Sequence, residues 1–189
     1  MSDEEKVEKI VAAAYVCFTK HGLRRTTMAD IASEAGMSRP AVYQYVANKQ
    51  EAFQLMADWL LSETLKDFQA ALDGEGSPTE RLSAALTIKL DLTLRVWRES
   101  PHAEELLGST ATLPADLLKK YDEALLDSLT GTVTSDFPDV DAREFAELLL
   151  ALVHGLEAES TDPKIPIRRL HQGVVLLVSG LNSQSKESQ

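Results

Sequence analysis

Residues 26–46 read TTMADIASEAGMSRPAVYQYV. Thr27 can cap the start of one short helix, with Asp30 three residues on to complete a capping box. Ser38 can cap the start of a second helix. Between the two, Gly36 supplies the positive φ that a tight turn demands. The stretch therefore predicts a helix-turn-helix, in which two short helices pack across a turn.

The second predicted helix has a polar outer side. Arg39 can present a bidentate fork to guanine, Gln44 can pair with adenine, and Ala41 offers a methyl contact to thymine. Phenols at Tyr43 and Tyr45 can reach phosphate oxygens. An ordinary helical hairpin inside a protein core is the alternative, but such a polar face favours a groove of DNA.

Elsewhere, apolar residues recur at helical spacing, and the alternation typical of strands is absent. This pattern predicts an all-α fold. A three-helix DNA-binding domain is expected at residues 1–48, and a larger helical domain, expected to serve ligand binding and dimerisation, at residues 49–189. About nine helices are expected, at residues 4–20, 27–35, 38–46, 49–72, 79–99, 102–108, 114–135, 141–160 and 166–182. Gly22 would end the first helix, and a frayed polar tail is expected from residue 183.

The net charge of −11 seems to oppose DNA binding, but it is unevenly distributed. Residues 1–50 carry a balance of +1 and the remainder −12, so the acid lies in the C-terminal part. Overall repulsion should weaken non-specific binding to phosphates and leave more of the affinity to specific contacts. The single cysteine, Cys17, excludes an internal disulfide, and no signal or membrane-spanning stretch is present. A cytoplasmic protein without membrane contact is expected.

Residues 7–60 resemble the TetR family of bacterial repressors. The resemblance rests on HGL at 21–23, TTMADIA at 26–32, AGMS at 35–38 and AVYQYVANK at 41–49. Val46 replaces the family's usual aromatic. The resemblance implies a homodimer on near-palindromic double-stranded DNA, released by a small, largely apolar effector. By position it implies DNA contacts at Arg25, Thr27, Ser38, Arg39, Pro40, Ala41, Tyr43, Gln44, Tyr45 and Lys49.

The last two predicted helices are the expected dimer interface, because a single helix-turn-helix reads only a few base pairs. Each carries an apolar stripe, and two glycines seven residues apart would permit close helix approach. A four-helix bundle, two helices from each subunit, is predicted. The alternative is that these helices are simply central in one chain. The predicted interface residues are Phe145, Leu149, Leu152, Val153, Leu156, Leu170, Gly173, Val174, Leu176, Leu177, Gly180 and Leu181.

A ligand pocket is expected between the DNA-binding head and the dimer surface. Lys89 and Thr93 fall near the middle of an apolar helix side, where an ammonium is costly unless it meets an anion. They could hold the acidic or polar head of an otherwise apolar ligand. The favoured alternative is that Lys89 pairs with a buried carboxylate or reaches solvent. The full set of pocket candidates is Met56, Leu60, Thr64, Phe68, Leu86, Lys89, Thr93, Trp97 and Tyr121.

An enzyme is not indicated, since no phosphate loop, nucleophile elbow or Cys–His arrangement is present. Acidic pairs such as Glu104-Glu105 look solvated, and His154 with Glu157 alone is not a metal site. We therefore expect no catalytic residues, no metal and no cofactor. A DNA-binding architectural or partner-binding protein that senses no ligand is the remaining alternative, and it would lack a pocket.

Overall fold

The structure is a computed structural model that describes residues 2–157 and 164–187, with only the backbone described at 111–112 and 182–187. All regular elements in these ranges are helical, which confirms the predicted all-α class. The helices are α1 (Asp3–Arg25), α2 (Met28–Glu34), α3 (Arg39–Val42), α4 (Lys49–Leu72), α5 (Pro78–Glu99), α6 (Ala103–Gly108), α7 (Ala115–Asp136), α8 (Ala142–Glu157) and α9 (Lys164–Glu187). A 3-10 turn, Ser109–Thr112, follows α6.

Helix α1 is interrupted where the sequence predicts its end. Gly22 has a φ of 76° and a ψ of 162°, outside the helical region, and one further turn to Arg25 follows it. The hydroxyl of Thr26 donates to the Gly22 carbonyl at 2.8 Å and to the Cys17 carbonyl at 3.1 Å. The glycine thus stops the regular helix, and Thr26 fastens the short extra turn to it.

Helix α3 is shorter than the predicted range of 38–46. Regular helix ends at Val42, since the N–H of Gln44 donates to Ala41 and that of Tyr45 to Val42, each three residues back. Such bonds tighten a helical end into turns. Residues 43–45 are turns rather than α-helix, and Val46 has no regular structure.

The last two helices also differ from prediction at their ends. Helix α8 ends at Glu157 within the described residues, and the predicted positions 158–160 lie outside them. Helix α9 begins at Lys164 and continues to Glu187, so the tail expected to fray from residue 183 is helical up to residue 187. Pro166 stands in the first turn of α9, where its missing N–H removes no helical hydrogen bond.

The chain divides into two compact units. The first unit contains the described residues up to Ser62 together with Val96–Leu118, and the second contains Glu63–Arg95 with the described residues after Leu118. This division concerns packing and does not test the functional boundary expected between residues 48 and 49, which stays a prediction.

The first unit is built on an apolar core shared by α1, α2, α3 and the first half of α4. Ile10, Phe18 and Ile31 are fully buried there. The Phe18 and Phe53 rings meet edge to face, with centroids 5.7 Å apart. This core fixes the orientation of the short helices α2 and α3.

The second unit packs α5, α7, α8 and α9 around buried leucines, and polar pairs link its helices. Arg81 on α5 donates two hydrogen bonds to the carboxylate of Asp136 on α7, at 2.6 and 2.8 Å. Helices α8 and α9 approach closely, because a Cβ at Gly173 would lie 2.7 Å from Leu152. None of the described helices has the length and apolar character to cross a bilayer.

Candidate nucleic-acid interface and ligand site

Helix α2 begins with the predicted capping box. The backbone N–H of Thr27 donates to Asp30 Oδ2 at 2.8 Å, and the N–H of Asp30 donates back to Thr27 Oγ1 at 3.2 Å. The Thr27 hydroxyl also donates to the same carboxylate at 2.7 Å. These hydrogen bonds from Thr27, the hydroxyl first, lower the pKa of Asp30. The box keeps the start of α2 rigid, and Thr27 stays exposed.

The turn between α2 and α3 depends on Gly36, as predicted. Its φ is 62°, in the left-handed region that favours glycine. Its N–H donates to the Ser33 carbonyl at 3.1 Å, and the N–H of Met37 donates to the Ala32 carbonyl at 3.0 Å. No atom lies within 4 Å of a Cβ placed at Gly36, so backbone conformation rather than space requires the glycine.

The inner side of the helix-turn-helix is buried. Ile31, Ala32 and Val42 all lie in the core of the first unit, and Val46 follows them inward after the end of α3. Burial of these side chains leaves the opposite side of α3 free of the protein's own interior.

Most of the predicted DNA contacts lie on α3, at its cap or in the turns that follow it, and most of these are exposed. Ser38 caps the helix, since its hydroxyl accepts from the N–H of Ala41 at 3.3 Å. Tyr43 exposes 47% of its surface. Seven of the ten predicted contacts are exposed, namely Arg25, Thr27, Ser38, Arg39, Pro40, Tyr43 and Gln44. The other three are half-buried, namely Ala41, Tyr45 and Lys49.

Tyr45 has a partner that the sequence did not indicate. Its hydroxyl donates to Asp3 Oδ1 at 2.7 Å, and Lys6 places its ammonium 5.9 Å from the ring centroid. Lys6 also pairs with Asp3 at 2.9 Å. The hydrogen bond from Tyr45 and then that from Lys6 lower the pKa of Asp3. A phosphate contact by Tyr45 would require its hydroxyl to exchange Asp3 for DNA.

Lys49 and the start of α4 are likewise engaged within the chain. The Lys49 ammonium donates to the Arg24 carbonyl at 2.8 Å and keeps further N–H donors. Asn48 caps α4 by accepting from the N–H of Glu51 at 2.9 Å, while the Glu51 carboxylate accepts from the N–H of Ala47 at 2.7 Å. A phosphate at this helix start would therefore meet the carboxylate of Glu51.

Glu105 on α6 is a functional candidate that sequence reasoning missed, because the pair Glu104-Glu105 looked solvated. Glu105 Oε1 accepts from the backbone N–H of Arg24 at 2.9 Å and lies 3.7 Å from its guanidinium Nε. A Cβ at Gly22 would lie 2.4 Å from the other carboxylate oxygen of Glu105. The break in α1 thus makes room for a carboxylate of α6 beside the DNA-binding head.

In the second unit, Lys89 pairs with a carboxylate, as the favoured alternative expects, but this carboxylate is half-buried rather than buried. Its ammonium donates to Glu157 Oε1 at 3.0 Å, and Lys89 is only 5% exposed. The hydroxyl of Thr93, one turn along α5, donates to the same oxygen at 3.0 Å. Lys89 and Thr93 are therefore brought together as expected, but around a side chain of the protein's own α8.

Tyr121 on α7 belongs to the same region. It is 9% exposed, and its hydroxyl has no hydrogen-bond partner among the described residues. Burial raises the pKa of this phenol, and the nearby charge of Glu157 raises it further. Tyr121 is therefore a neutral phenol at any ordinary pH.

The remaining pocket candidates divide between the two units. Met56, Leu60 and Trp97 belong to the first unit, where Met56 is buried in the core. Thr64, Phe68 and Leu86 belong to the second unit and are all buried. The roles of all these residues stay predictions.

Half of the predicted dimer residues face the interior of their own chain. The buried ones are Phe145, Leu149, Val153, Leu156, Leu170 and Val174. Gly173 does permit a close helix approach, but to Leu152 of the same chain. These six side chains therefore keep little surface for a partner, and the dimer interface as a whole stays a prediction.

Helices α8 and α9 nevertheless keep exposed apolar surface. Leu176 is 72% exposed and Leu148 is 48% exposed, and Gly180 is exposed as well. Leu152, Leu177 and Leu181 are half-buried. The outer line on α8 runs through Leu148, Ala151, Leu152 and Gly155, and that on α9 through Gln172, Val175, Leu176, Ser179 and Gly180.

Across the part of the chain that the structure describes, no three His, Cys, Asp or Glu side chains are grouped so as to hold a metal ion. Cys17 is buried in the first unit, and burial raises the pKa of its thiol to about 11. A neutral, inaccessible thiol is typical of a small core residue.

Comparison with known proteins agrees with this geometry. Residues 10–56 match the family model described as bacterial regulatory proteins, tetR family. Over 157 residues the chain is 30% identical to the HTH-type transcriptional regulator BetI of Agrobacterium fabrum. The aligned region spans 78% of this chain and 72% of that relative.

Solved structures share the fold over nearly the whole chain. A TetR-family transcriptional regulator from Streptomyces coelicolor aligns with a TM-score of 0.73 at 16% identity, over 95% of this chain and 91% of that one. A TetR transcription regulator from Haloarcula marismortui aligns with a TM-score of 0.70 at 24% identity, over 94% and 98%.

Proposed function

The chain belongs to the TetR family of bacterial regulatory proteins, and we propose that it is a homodimeric repressor, released from a near-palindromic DNA operator by a small molecule. Family membership makes it a DNA-binding transcriptional regulator and not an enzyme. The repressor role, the dimer, the operator symmetry and the effector are the proposal.

The observation that best supports the proposal is the polar, exposed outer side of α3 above a buried inner side. Arg39 on α3 and Gln44 in the turns after it are both exposed. They can read base edges in a major groove, guanine by the guanidinium and adenine by the amide. Tyr43 can donate to a phosphate. Gly36 and the two caps hold these side chains on a rigid support.

Charge supports specific rather than non-specific binding. The chain carries −11 overall, while its first 50 residues carry +1. Arg25 is exposed after the break in α1, and Lys49 retains donors for a phosphate. Since affinity for phosphates falls steeply as salt rises, a protein with few cations depends more on base contacts.

The proposed dimer interface is the outer side of α8 and α9, in place of the buried side that the stripes suggested. Leu148, Val175 and Leu176 are large apolar side chains exposed on these helices, and exposed Gly180 would allow close approach. A symmetric pair of such faces would form a four-helix bundle. Two recognition helices could then occupy successive major grooves, roughly 34 Å apart.

Release is proposed as a population shift. Helix α4 starts beside the DNA-binding head at Lys49 and continues into the second unit at Glu63. A ligand that prefers the state with wrongly spaced recognition helices weakens operator binding by its coupling free energy, typically ~1–3 kcal/mol. Near-complete switching would need a preference of ~5.5 kcal/mol.

The test is DNase footprinting of the purified protein on the DNA that flanks its own gene. Arg39→Ala and Tyr43→Ala should weaken or abolish the protected site, while Arg143→Ala should not. Arg143 is a suitable control, because it is an exposed arginine that pairs with Glu147 on the surface of α8. Equal protection by all four proteins would contradict the assignment of α3.

A further inference from the structure

A polar cluster of the second unit consists of buried Lys89 and Tyr121 with half-buried Thr93 and Glu157, and these four side chains carry no net charge. The ammonium of Lys89 is matched by the carboxylate of Glu157 at 3.0 Å. An anionic ligand head would add a second negative charge beside Glu157, and two like charges close together in a partly buried site repel each other. The ion pair therefore disfavours an acidic ligand head, which an unpaired Lys89 would attract.

The cluster still has hydrogen-bonding capacity. Lys89 and Thr93 both donate to Glu157 Oε1, and no described residue donates to Oε2. The hydroxyl of Tyr121 has no partner among the described residues, although buried polar groups are nearly always hydrogen-bonded. A group that donates to Glu157 and accepts from Tyr121 would satisfy both.

The surroundings of the cluster are apolar. Leu86 and Leu90 flank Lys89 on α5, and Leu125 follows Tyr121 by one turn of α7. All three leucines are fully buried. A ligand that reaches the polar cluster must therefore present an apolar body to these helices.

We propose that this cluster is the polar end of the effector site and that it selects an uncharged, hydroxyl-bearing apolar molecule, an alcohol or phenol, over a carboxylate. The ligand hydroxyl would donate to Glu157 and accept from Tyr121. The inference rests on the proposed function only in taking the ligand to be the effector, because the binding preference itself involves no DNA.

Isothermal titration calorimetry of the full-length protein without DNA tests the preference. The probes are 4-ethylphenol, 4-ethylbenzoate and ethylbenzene, which share an apolar body and differ in the head group. We expect 4-ethylphenol to bind at least about tenfold more tightly than either of the others, since a built hydrogen-bonding site rejects analogues that leave it unpaired. Tighter binding of the carboxylate, or no binding of the phenol, overturns the proposal.

Charge variants sharpen the test. Glu157→Gln leaves Lys89 without its counter-charge, so 4-ethylbenzoate should gain about tenfold or more in affinity relative to 4-ethylphenol. The matched control Lys89→Met/Glu157→Leu removes both charges and should show no such gain. If Glu157→Gln leaves the preference for 4-ethylphenol over 4-ethylbenzoate unchanged, the ion pair does not determine which ligand charge is selected, and the proposal fails.

Tyr121→Phe keeps the ring and removes the unpartnered hydroxyl, so it should remain folded. In this variant the advantage of 4-ethylphenol over ethylbenzene should fall by about fivefold or more, while ethylbenzene affinity stays the same. An unchanged ratio would show that the hydroxyl is not part of the site. Failure of operator release with the binding preference intact would instead count against the proposed function alone.

Discussion

Replacing Leu176 by alanine should split the dimer, if the outer side of α9 is the interface. Leu176 exposes 72% of its surface in the single chain, more than any other large apolar side chain described. If Leu176 were fully buried in the dimer, deletion of three of its carbons would cost roughly 2.4 kcal/mol, at about 0.8 kcal/mol for each carbon. Scaling by the exposed fraction gives about 1.7 kcal/mol for each subunit.

In a symmetric dimer the loss occurs twice, so it amounts to roughly 3–4 kcal/mol, or two to three orders of magnitude in the dissociation constant. Sedimentation equilibrium over a dilution series measures this constant directly. Val16→Ala is the control, because Val16 is 40% exposed on α1 and outside the proposed interface. A Leu176→Ala dissociation constant within a few-fold of the unmodified protein's would refute the reasoning.

Three further outcomes are expected. Gly36→Ala should lower the free energy of unfolding by about 1–2 kcal/mol in urea titration, through its φ of 62° alone; the control Gly131→Ala, inside α7 with open space at its Cβ, should not lower it. Native Cys17 should resist a thiol reagent at pH 8, below its pKa of about 11, and react in denaturant; rapid native labelling would contradict its burial. Tyr121→Phe should stabilise the fold by about 1–3 kcal/mol, the cost of a buried hydroxyl without a partner; a loss of stability would mean the hydroxyl has one.

Local signals in the sequence were sufficient for the DNA-binding head. Each of these signals depends on residues within one or two helical turns of one another. They are a capping residue, its partner three residues on, and a glycine between two helices. Thr27 with Asp30, Gly36 and Ser38 accordingly form the contacts that their spacing predicts. The exposure of Arg39 follows from the same geometry. When one side of a short helix is buried, the residues on its opposite side face solvent.

The dimer surface could not be predicted in the same way. An apolar stripe on a helix shows that a face is buried, but not whether the helix's own chain or a partner covers it. On α8 the strongest stripe, with Leu149 and Val153, packs into the chain's interior. The outer line of α8 has exposed Leu148, half-buried Leu152 and the small residues Ala151 and Gly155, which give a weaker apolar signal.

Partners that are distant in sequence were also missed. Glu157 meets Lys89 from 68 residues away, and Glu105 meets Arg24 from 81 residues away. Helical periodicity places each side chain on a face but does not say which carboxylate faces it across the fold. The cost of burying Lys89 unpaired predicted that some anion would be present, and only the structure identifies Glu157.

The central claim is that the outer side of α3 lies in the major groove, and methylation protection of guanine N7 tests it most directly. On the operator we expect protected guanines in two patches about 10–10.5 base pairs apart, one for each subunit. Arg39→Ala should lose one guanine protection in each patch while the others persist. A pattern unchanged by Arg39→Ala, or no major-groove protection at all, would contradict the account.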